Sequence, residues 1–247
     1  MKNVFIFDVD GTLTDSRAPM DTAFRKWFKD WLKRGSKEVY LASGSDYSKT
    51  QEQVNNDILN SVDAVFSCAG NAIYVKGQLK YKSDWTLKEP QISWLNEQLF
   101  KSLFTGKVGR HIEIRTGLVN FSVVGRAADK DQRAKYVEFD KKNSERKRIA
   151  DLFNKKFEGI AVAQVAGETG IDLMEPKKDK GQIAQYFVEP GTNVYFFGDQ
   201  MKSGGNDYPL GEALKRNYID SSKGRSTVIE VRGWKDTWNY LQKMENR

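Results

Sequence analysis

The stretch Phe5–Thr14 reads F-I-F-D-V-D-G-T-L-T. A run of strand-forming apolar residues ends in two carboxylates, Asp8 and Asp10, followed at once by Gly11-Thr12. A second acid beside the first raises the cost of taking either out of water. Such a pair calls for a cation, for acid chemistry, or for both. An ionised Asp8 can attack phosphorus and give an aspartyl-phosphate. Asp10 can hand a proton to the leaving oxygen and recover one from the next nucleophile. Gly11-Thr12 lets the backbone turn closely around a phosphoryl group. Three more groups sit where they could join this pair: Ser43 past E-V-Y-L-A, Lys180 at a helix start, and Asp199 past N-V-Y-F-F-G. In doubly wound sheets, ligands bind beyond the carboxyl ends of the strands. The five side chains therefore read as an anion site around a hard cation, and Mg²⁺ suits carboxylate and phosphate oxygens. Lys180 and the cation would balance charge on the equatorial phosphoryl oxygens.

The elements that must position these groups follow from pattern. After the first strand, Pro19 can open a helix in which Phe24, Trp27, Phe28, Trp31 and Leu32 share one face, and Gly35 closes it. E-V-Y-L-A is a short buried strand ending in Ser43-Gly44-Ser45-Asp46; a helix runs to about Leu59, and D-A-V-F-S is the next strand. Strands alternating with helices imply a parallel βαβ sheet. Near residue 80 the pattern changes. Residues 88–104 read as a helix, and H-I-E-I-R-T-G-L-V-N-F-S-V-V-G-R as an antiparallel hairpin turning at Thr116-Gly117. That register sets Glu113 against Asn120 and His111 against Ser122 on a polar face, with Ile112 and Ile114 meeting Phe121 and Val119 on the other. A charged helical stretch to about Phe157 and strands at 159–166 and 171–175 complete this segment. The βα pattern then resumes with a helix at 180–188, the strand N-V-Y-F-F and a glycine-rich loop from Gly198 to Asp207. The expectation is an α/β fold: a core of residues 1–81 and 177–247 with a parallel sheet, carrying an inserted α+β cap at 82–176.

Bulk properties narrow the classes. The chain has 247 residues, 39% of them hydrophobic, and a formal net charge of +7. No apolar run approaches the ~20 residues of a membrane helix, and Met1-Lys2 is too short a lead for a signal peptide. The single cysteine, Cys68, excludes an internal disulfide and suits a reducing, cytoplasmic setting. With one histidine, His111, a His-based zinc site is excluded, and its alternating neighbours make it a half-exposed strand residue. The basic run at 141–148 reads as a solvated helix face, so nucleic acid is not implied, and an anionic substrate accounts for part of the charge.

D-V-D-G-T resembles motif I of the haloacid dehalogenase (HAD) superfamily of phosphotransferases. S-G-S-D-Y-S-K-T-Q-E-Q-V-N-N-D (43–57), I-E-I-R-T-G-L-V-N-F-S-V-V-G-R (112–126), E-F-D-K-K (138–142) and F-F-G-D-Q-M-K-S-G-G-N-D (196–207) look like the eukaryotic-type phosphomannomutases. The resemblance implies a HAD-like Rossmannoid core with a substrate-specificity cap. It implies Asp8 as nucleophile, Asp10 as acid–base group, Ser43 and Lys180 on the phosphoryl group, and Mg²⁺ held by Asp8, Asp10, Asp199 and Asp207. It implies Arg17, Arg115, Arg126, Arg133 and Asp172 as substrate-binding residues. Guanidinium suits bidentate phosphate contact, and Arg115 and Arg126 also share the parity of the polar hairpin face. Without the resemblance, Arg133 reads as an ordinary exposed helical arginine. The implied reaction exchanges phosphate between Asp8 and mannose 1- or 6-phosphate through a hexose 1,6-bisphosphate, which would also serve as activator. The family's association through caps implies a homodimer.

The chain departs from the family in three places. Gly170 stands where a substrate-binding serine is usual, Lys178 replaces a tryptophan, and Y-P-L-G-E-A-L after Asp207 lacks an acidic loop for a second cation. A HAD sugar-phosphate phosphatase using the same residues is the alternative function. A basic binding module without turnover is a third reading, disfavoured by the intact Asp8 and Asp10. Ser43 is preferred to Ser45 as the phosphate-binding hydroxyl because it sits nearer the strand end. Asp207 reads equally as part of the metal loop or as the cap of the following helix. Mannose and glucose phosphates are not separable from these residues.

Overall fold

Strand β1 (Lys2–Phe7) lies between two parallel neighbours, β2 (Glu38–Ala42) and β10 (Thr192–Gly198). A central strand in a covered parallel sheet is buried on both faces, which is why V-F-I-F is continuously apolar rather than alternating. In this computed structural model, which describes residues 1–218 and 224–245, the chain forms two compact units. One comprises Met1–Lys82 with Lys178–Arg247, the other Ser83–Lys177.

The first unit is built on a seven-stranded sheet. Beyond β2 it continues through parallel β3 (Ala64–Ser67) into antiparallel β4 (Ala72–Val75) and β5 (Gln78–Lys82). Beyond β10 it ends at parallel β11 (Gly224–Glu230), giving the order β11-β10-β1-β2-β3-β4-β5. Phe5 and Phe7 face α1 (Thr22–Leu32), α2 (Tyr47–Leu59) and α7 (Trp234–Glu245), in a core with Phe24, Phe28, Trp31 and Leu241. Val4 and Ile6 face α6 (Tyr208–Asn217) and the 3-10 turn Lys180–Tyr186, in a second core with Ile183, Phe196, Leu210 and Leu214. The tryptophans of this unit are packing residues: Trp234 and Trp238 both stack on Phe24, at 5.8 and 5.5 Å between ring centroids.

The second unit holds a four-stranded antiparallel sheet in the order β6 (Ile112–Arg115), β7 (Leu118–Phe121), β9 (Gly170–Met174), β8 (Val162–Ala166). Helices α3 (Glu89–Lys101), α4 (Lys130–Asn143) and α5 (Glu145–Lys156) supply the rest of its core, with Leu95, Tyr136 and Phe153 packed against Val119, Phe121, Ile171 and Leu173. Glu113 opposes Asn120 and Ile112 opposes Phe121, the register expected from the turn.

Several boundaries differ from the sequence reading. Helix α1 opens at Thr22, not at Pro19, because the Asp21 carboxylate accepts the free N–H groups of Ala23 and Phe24. The charged stretch is two helices, broken where Ser144 adopts φ 49°. Residues 180–186 wind as a 3-10 turn rather than an α-helix. The β4–β5 hairpin, β11 and α7 were not legible in the pattern. Among the described residues, no helix is long and apolar enough to cross a membrane.

Candidate active site

The sheet of the first unit brings its polar groups to the carboxyl ends of β1, β2 and β10, as the doubly wound rule requires. Asp8 follows β1 directly, and its N–H donates to the Phe197 carbonyl at 2.9 Å, so the last strand bond of β10 fixes its place. The next residues close tightly, with the N–H groups of Leu13 and Thr14 both reaching the Val9 carbonyl at 3.0 and 3.1 Å. Gly11 sits at φ +80°, and a Cβ there would come within 2.5 Å of Asp199 Oδ2. That close approach is why the motif needs glycine.

Lys180 organises the acids. Its ammonium donates to Asp8 Oδ1 and to Asp207 Oδ1, both at 2.6 Å, and the three side chains are 2%, 4% and 0% exposed. Asp207 is the residue before α6, yet its carboxylate makes no capping bond to that helix. It takes Lys180 on one oxygen and the Gln200 N–H on the other, at 3.1 Å. Gly198 permits this, since a Cβ there would meet Asp207 Oδ2 at 2.5 Å. Burial pushes the Asp8 carboxyl well above its ordinary value, and the charge on Asp207 adds to that, against the pull of Lys180. Burial works to lower the Lys180 ammonium, but Asp207 and Asp8 outweigh it and hold its pKa above the usual lysine value. Burial also raises Asp199, opposed by the hydrogen bond from Gln200.

Carboxylate oxygens of Asp8, Asp199 and Asp207 lie within 4.8 Å of one another. An all-oxygen acidic set of this kind fits a hard divalent cation. Asp10, the fourth acid expected to hold a metal, stands apart from this group. Its Oδ1 accepts the Arg17 N–H at 2.7 Å and Gln53 Nε2 at 2.9 Å, and Ser45 Oγ lies 3.5 Å from its other oxygen. Arg17 itself is exposed and sits at φ 59°, the left-handed region, so the turn that delivers its N–H to Asp10 carries backbone strain. Gln53 was not singled out in the sequence. Helix α2 breaks just beyond it, at Asn55 (φ 66°), and the Gln53 carbonyl takes the Met20 N–H at 2.7 Å. Ser43 is 1% exposed, and its hydroxyl accepts the Ser45 N–H at 3.0 Å.

The second unit gathers its own polar constellation. Arg126 Nε and Arg115 Nη2 both reach Glu113 Oε2, at 2.6 and 2.9 Å. Asn120 donates to Asp172 Oδ1 at 2.6 Å and accepts from Arg126 Nη1 at 3.3 Å. Burial raises the Asp172 carboxyl, while Asn120, Arg115 and Arg126 pull it down. Arg133 pairs with Glu168 at 3.3 Å and its side chain is only 14% exposed, so it is not the solvated arginine its charged helix suggests. His111 bonds the Ser122 carbonyl through Nδ1 at 2.9 Å, a strand-end contact. Glu113 and Asn120 carry this network, and the hairpin register was the signal that pointed at them.

In fold, the chain is similar to the C-terminal domain of a Candida albicans trehalose-6-phosphate phosphatase (TM-score 0.66, 14% identity, 99% of this chain and 92% of that one). It is also similar to a haloacid dehalogenase-like hydrolase from Bacteroides thetaiotaomicron (TM-score 0.60, 13% identity, 99% and 100%). A parallel sheet with paired acids beyond its central strand, and these likenesses, define the HAD fold class. Residues 28–219 match the pattern of the family described as eukaryotic phosphomannomutase. The phosphomannomutase of Encephalitozoon cuniculi is 32% identical over 223 residues, covering 85% of this chain and 84% of that one. The phosphomannomutase of Schizosaccharomyces pombe is 29% identical, covering 85% of each chain. The chain belongs to the eukaryotic phosphomannomutase family. Membership implies metal dependence, which the buried acid cluster suits, and is consistent with a sugar-phosphate substrate.

Proposed function

We propose that the protein is a Mg²⁺-dependent hexose-phosphate mutase that interconverts mannose 1-phosphate and mannose 6-phosphate. The observation that carries this reading is the buried Asp8 carboxylate paired with Lys180 at 2.6 Å in a chain of this family. In the proposed cycle, the phosphoryl group of phospho-Asp8 passes to a hydroxyl of the hexose monophosphate. A P–O bond to the sugar forms as the bond to Asp8 breaks, and Asp10 takes the hydroxyl proton. The resulting 1,6-bisphosphate returns its other phosphate to Asp8, with Asp10 giving the proton back to the departing oxygen. Gln53 and the Arg17 N–H orient Asp10 for both transfers. Lys180 balances charge on the phosphoryl oxygens, and Ser43 orients them. Asp8, Asp199 and Asp207 would hold Mg²⁺, which when bound supplies charge stabilisation at the phosphoryl oxygens.

The residues 1–81 and 177–247 are read as the catalytic core and 82–176 as the specificity cap. Arg17, Arg115, Arg126 and Arg133 bind the second phosphate of the substrate, and Asp172 the sugar hydroxyls. Hexose 1,6-bisphosphate primes the enzyme. We read it as a cytoplasmic homodimer joined through the cap, where Phe100 and Leu103 are 89% and 83% exposed apolar residues. A sugar-phosphate phosphatase running on the same aspartyl-phosphate is the second reading, favoured by Gly170 and Lys178.

Phosphorus NMR with Mg²⁺, mannose 1-phosphate and a trace of hexose 1,6-bisphosphate distinguishes the two. Appearance of the 6-phosphate, lost in Asp8→Asn, is expected. Inorganic phosphate accumulating without isomer would replace the mutase by the phosphatase.

A further inference from the structure

The second unit carries one polar rung across its whole sheet. Glu113 on β6 opposes Asn120 on β7, Asn120 opposes Asp172 on β9, and Asp172 opposes Gln164 on β8. Directly opposed residues of antiparallel strands project from the same face. The rung therefore shares the face opposite to Val119, Phe121, Ile171 and Leu173, which enter the core.

Three members of the rung are linked, Asn120 to Asp172 directly and Glu113 to Asn120 through Arg126. Glu113 holds Arg126 and Arg115, and Asn120 ties Asp172 to Arg126. Gln164 is different. It is half-buried, and among the described residues its side-chain amide has no hydrogen-bond partner. Nor does the next position along β9 on this face supply a polar group. Residue 170 is glycine, and a Cβ there would meet Asn120 Nδ2 at 2.6 Å. Asp172 thus has an engaged amide on one side and an unengaged amide on the other.

We propose that Gln164 is a specificity-determining residue, which together with Asp172 grips a pair of neighbouring hydroxyls on the hexose ring of the substrate. The inference rests on the hexose-phosphate reading above. An ionised carboxylate only accepts hydrogen bonds, whereas a glutamine amide both donates and accepts. The two together satisfy a hydroxyl pair more completely than either alone. Their positions are fixed by strand register, so an epimer with one hydroxyl turned away leaves a polar group unpaired and is discriminated against. Arg115 and Arg126 contact charge; Gln164 reads stereochemistry.

The test compares the wild-type protein with Gln164→Leu, which keeps the side-chain volume and removes the amide, and with Gln164→Ala as a second variant. Calorimetry measures the affinities for mannose 1-phosphate, glucose 1-phosphate and inorganic phosphate, and turnover is followed on the same samples. Both variants are expected to lose about tenfold in affinity for one hexose phosphate relative to the other. Phosphate affinity and melting temperature should stay unchanged, and any turnover should show the loss in KM rather than kcat. An unchanged ratio between the two sugars overturns the inference, as does a wild-type protein that binds neither. If the wild-type protein binds the sugars without isomerising them, the mutase reading fails while the affinity ratio still judges Gln164.

Discussion

Lys180 places a single ammonium between two fully buried carboxylates, and no other described cation donates to Asp8 or Asp207 in hydrogen-bonding geometry. An ion cluster removed from water survives only while its charges are paired. Lys180→Met keeps an unbranched side chain as far as Cε but removes the ammonium and leaves both acids uncompensated. We expect a loss of about 3–5 kcal/mol in unfolding free energy, read as a lower denaturant midpoint at pH 7, together with loss of phosphoryl transfer. An unchanged midpoint would mean that the acids are protonated or otherwise paired. At this scale the sequence was informative where chemistry and position coincide. Asp8 and Asp199 follow strands, where carboxylates have few other uses, and Lys180 opens a turn. Asp207, far past the end of β10, reads equally as a helix cap until its bond with Lys180 is seen. Gln53 escaped notice because a glutamine in a polar helical segment has no distinguishing pattern. Only the break at Asn55 and the contact with Asp10 reveal it.

Helix α7 supports the acid-bearing loop through one buried bond, from the Thr237 hydroxyl to the Thr12 carbonyl at 2.7 Å. Thr237→Val preserves shape and deletes the donor, leaving a buried carbonyl unpaired at a cost of about 1–3 kcal/mol. Turnover should fall with it, and Thr237→Ser should restore most of both; equal behaviour of the Val and Ser variants would remove α7 from the argument. Helices α1 and α2 are tied differently. Asp57 meets Arg25 at 3.0 Å and Lys29 at 3.3 Å. Burial acts to raise its carboxyl, but the two cations prevail and hold it below the ordinary value. A depressed carboxyl contributes stability above the unfolded value near pH ~4 and loses it as pH falls through the folded one. The pair is partly exposed, so Asp57→Asn should cost at most about 1 kcal/mol at neutral pH. Thermal melts should show that gap closing as pH falls below the ordinary carboxylate range, and a gap that persists in acid contradicts the assignment. Among elements, the central strands and α1 were legible because burial on both sheet faces or one helix face leaves strong apolar signals. The edges were not: β5 is exposed along its length and β11 mixes buried, half-buried and exposed positions, so neither has a clear period.

At the scale of the molecule, the chain divides chemistry between a unit bearing the buried acids and a unit bearing the arginine-lined sheet. Phe100 and Leu103 leave apolar surface on the second unit that a cap-joined dimer would cover. Phe100→Ser combined with Leu103→Ser should convert a dimer to a monomer in sedimentation, while melting stays close to wild type. A wild-type protein that sediments as a monomer would refute the dimer. The parallel sheet and the antiparallel insert were readable as two patterns of alternation in one sequence. The interlocking of Glu113, Asn120 and Asp172 needed the sheet register, which joins residues far apart in the chain. The central claim is that Asp8 carries phosphate during turnover. The most direct measurement is to incubate the protein with Mg²⁺ and hexose 1,6-bisphosphate, quench in acid, and map the phosphoryl group by peptide mass spectrometry. The account predicts one phosphoryl group on Asp8, lost on adding hexose monophosphate acceptor and absent from Asp8→Asn. A phosphoryl group on any other residue, or turnover that persists in Asp8→Asn, would contradict it.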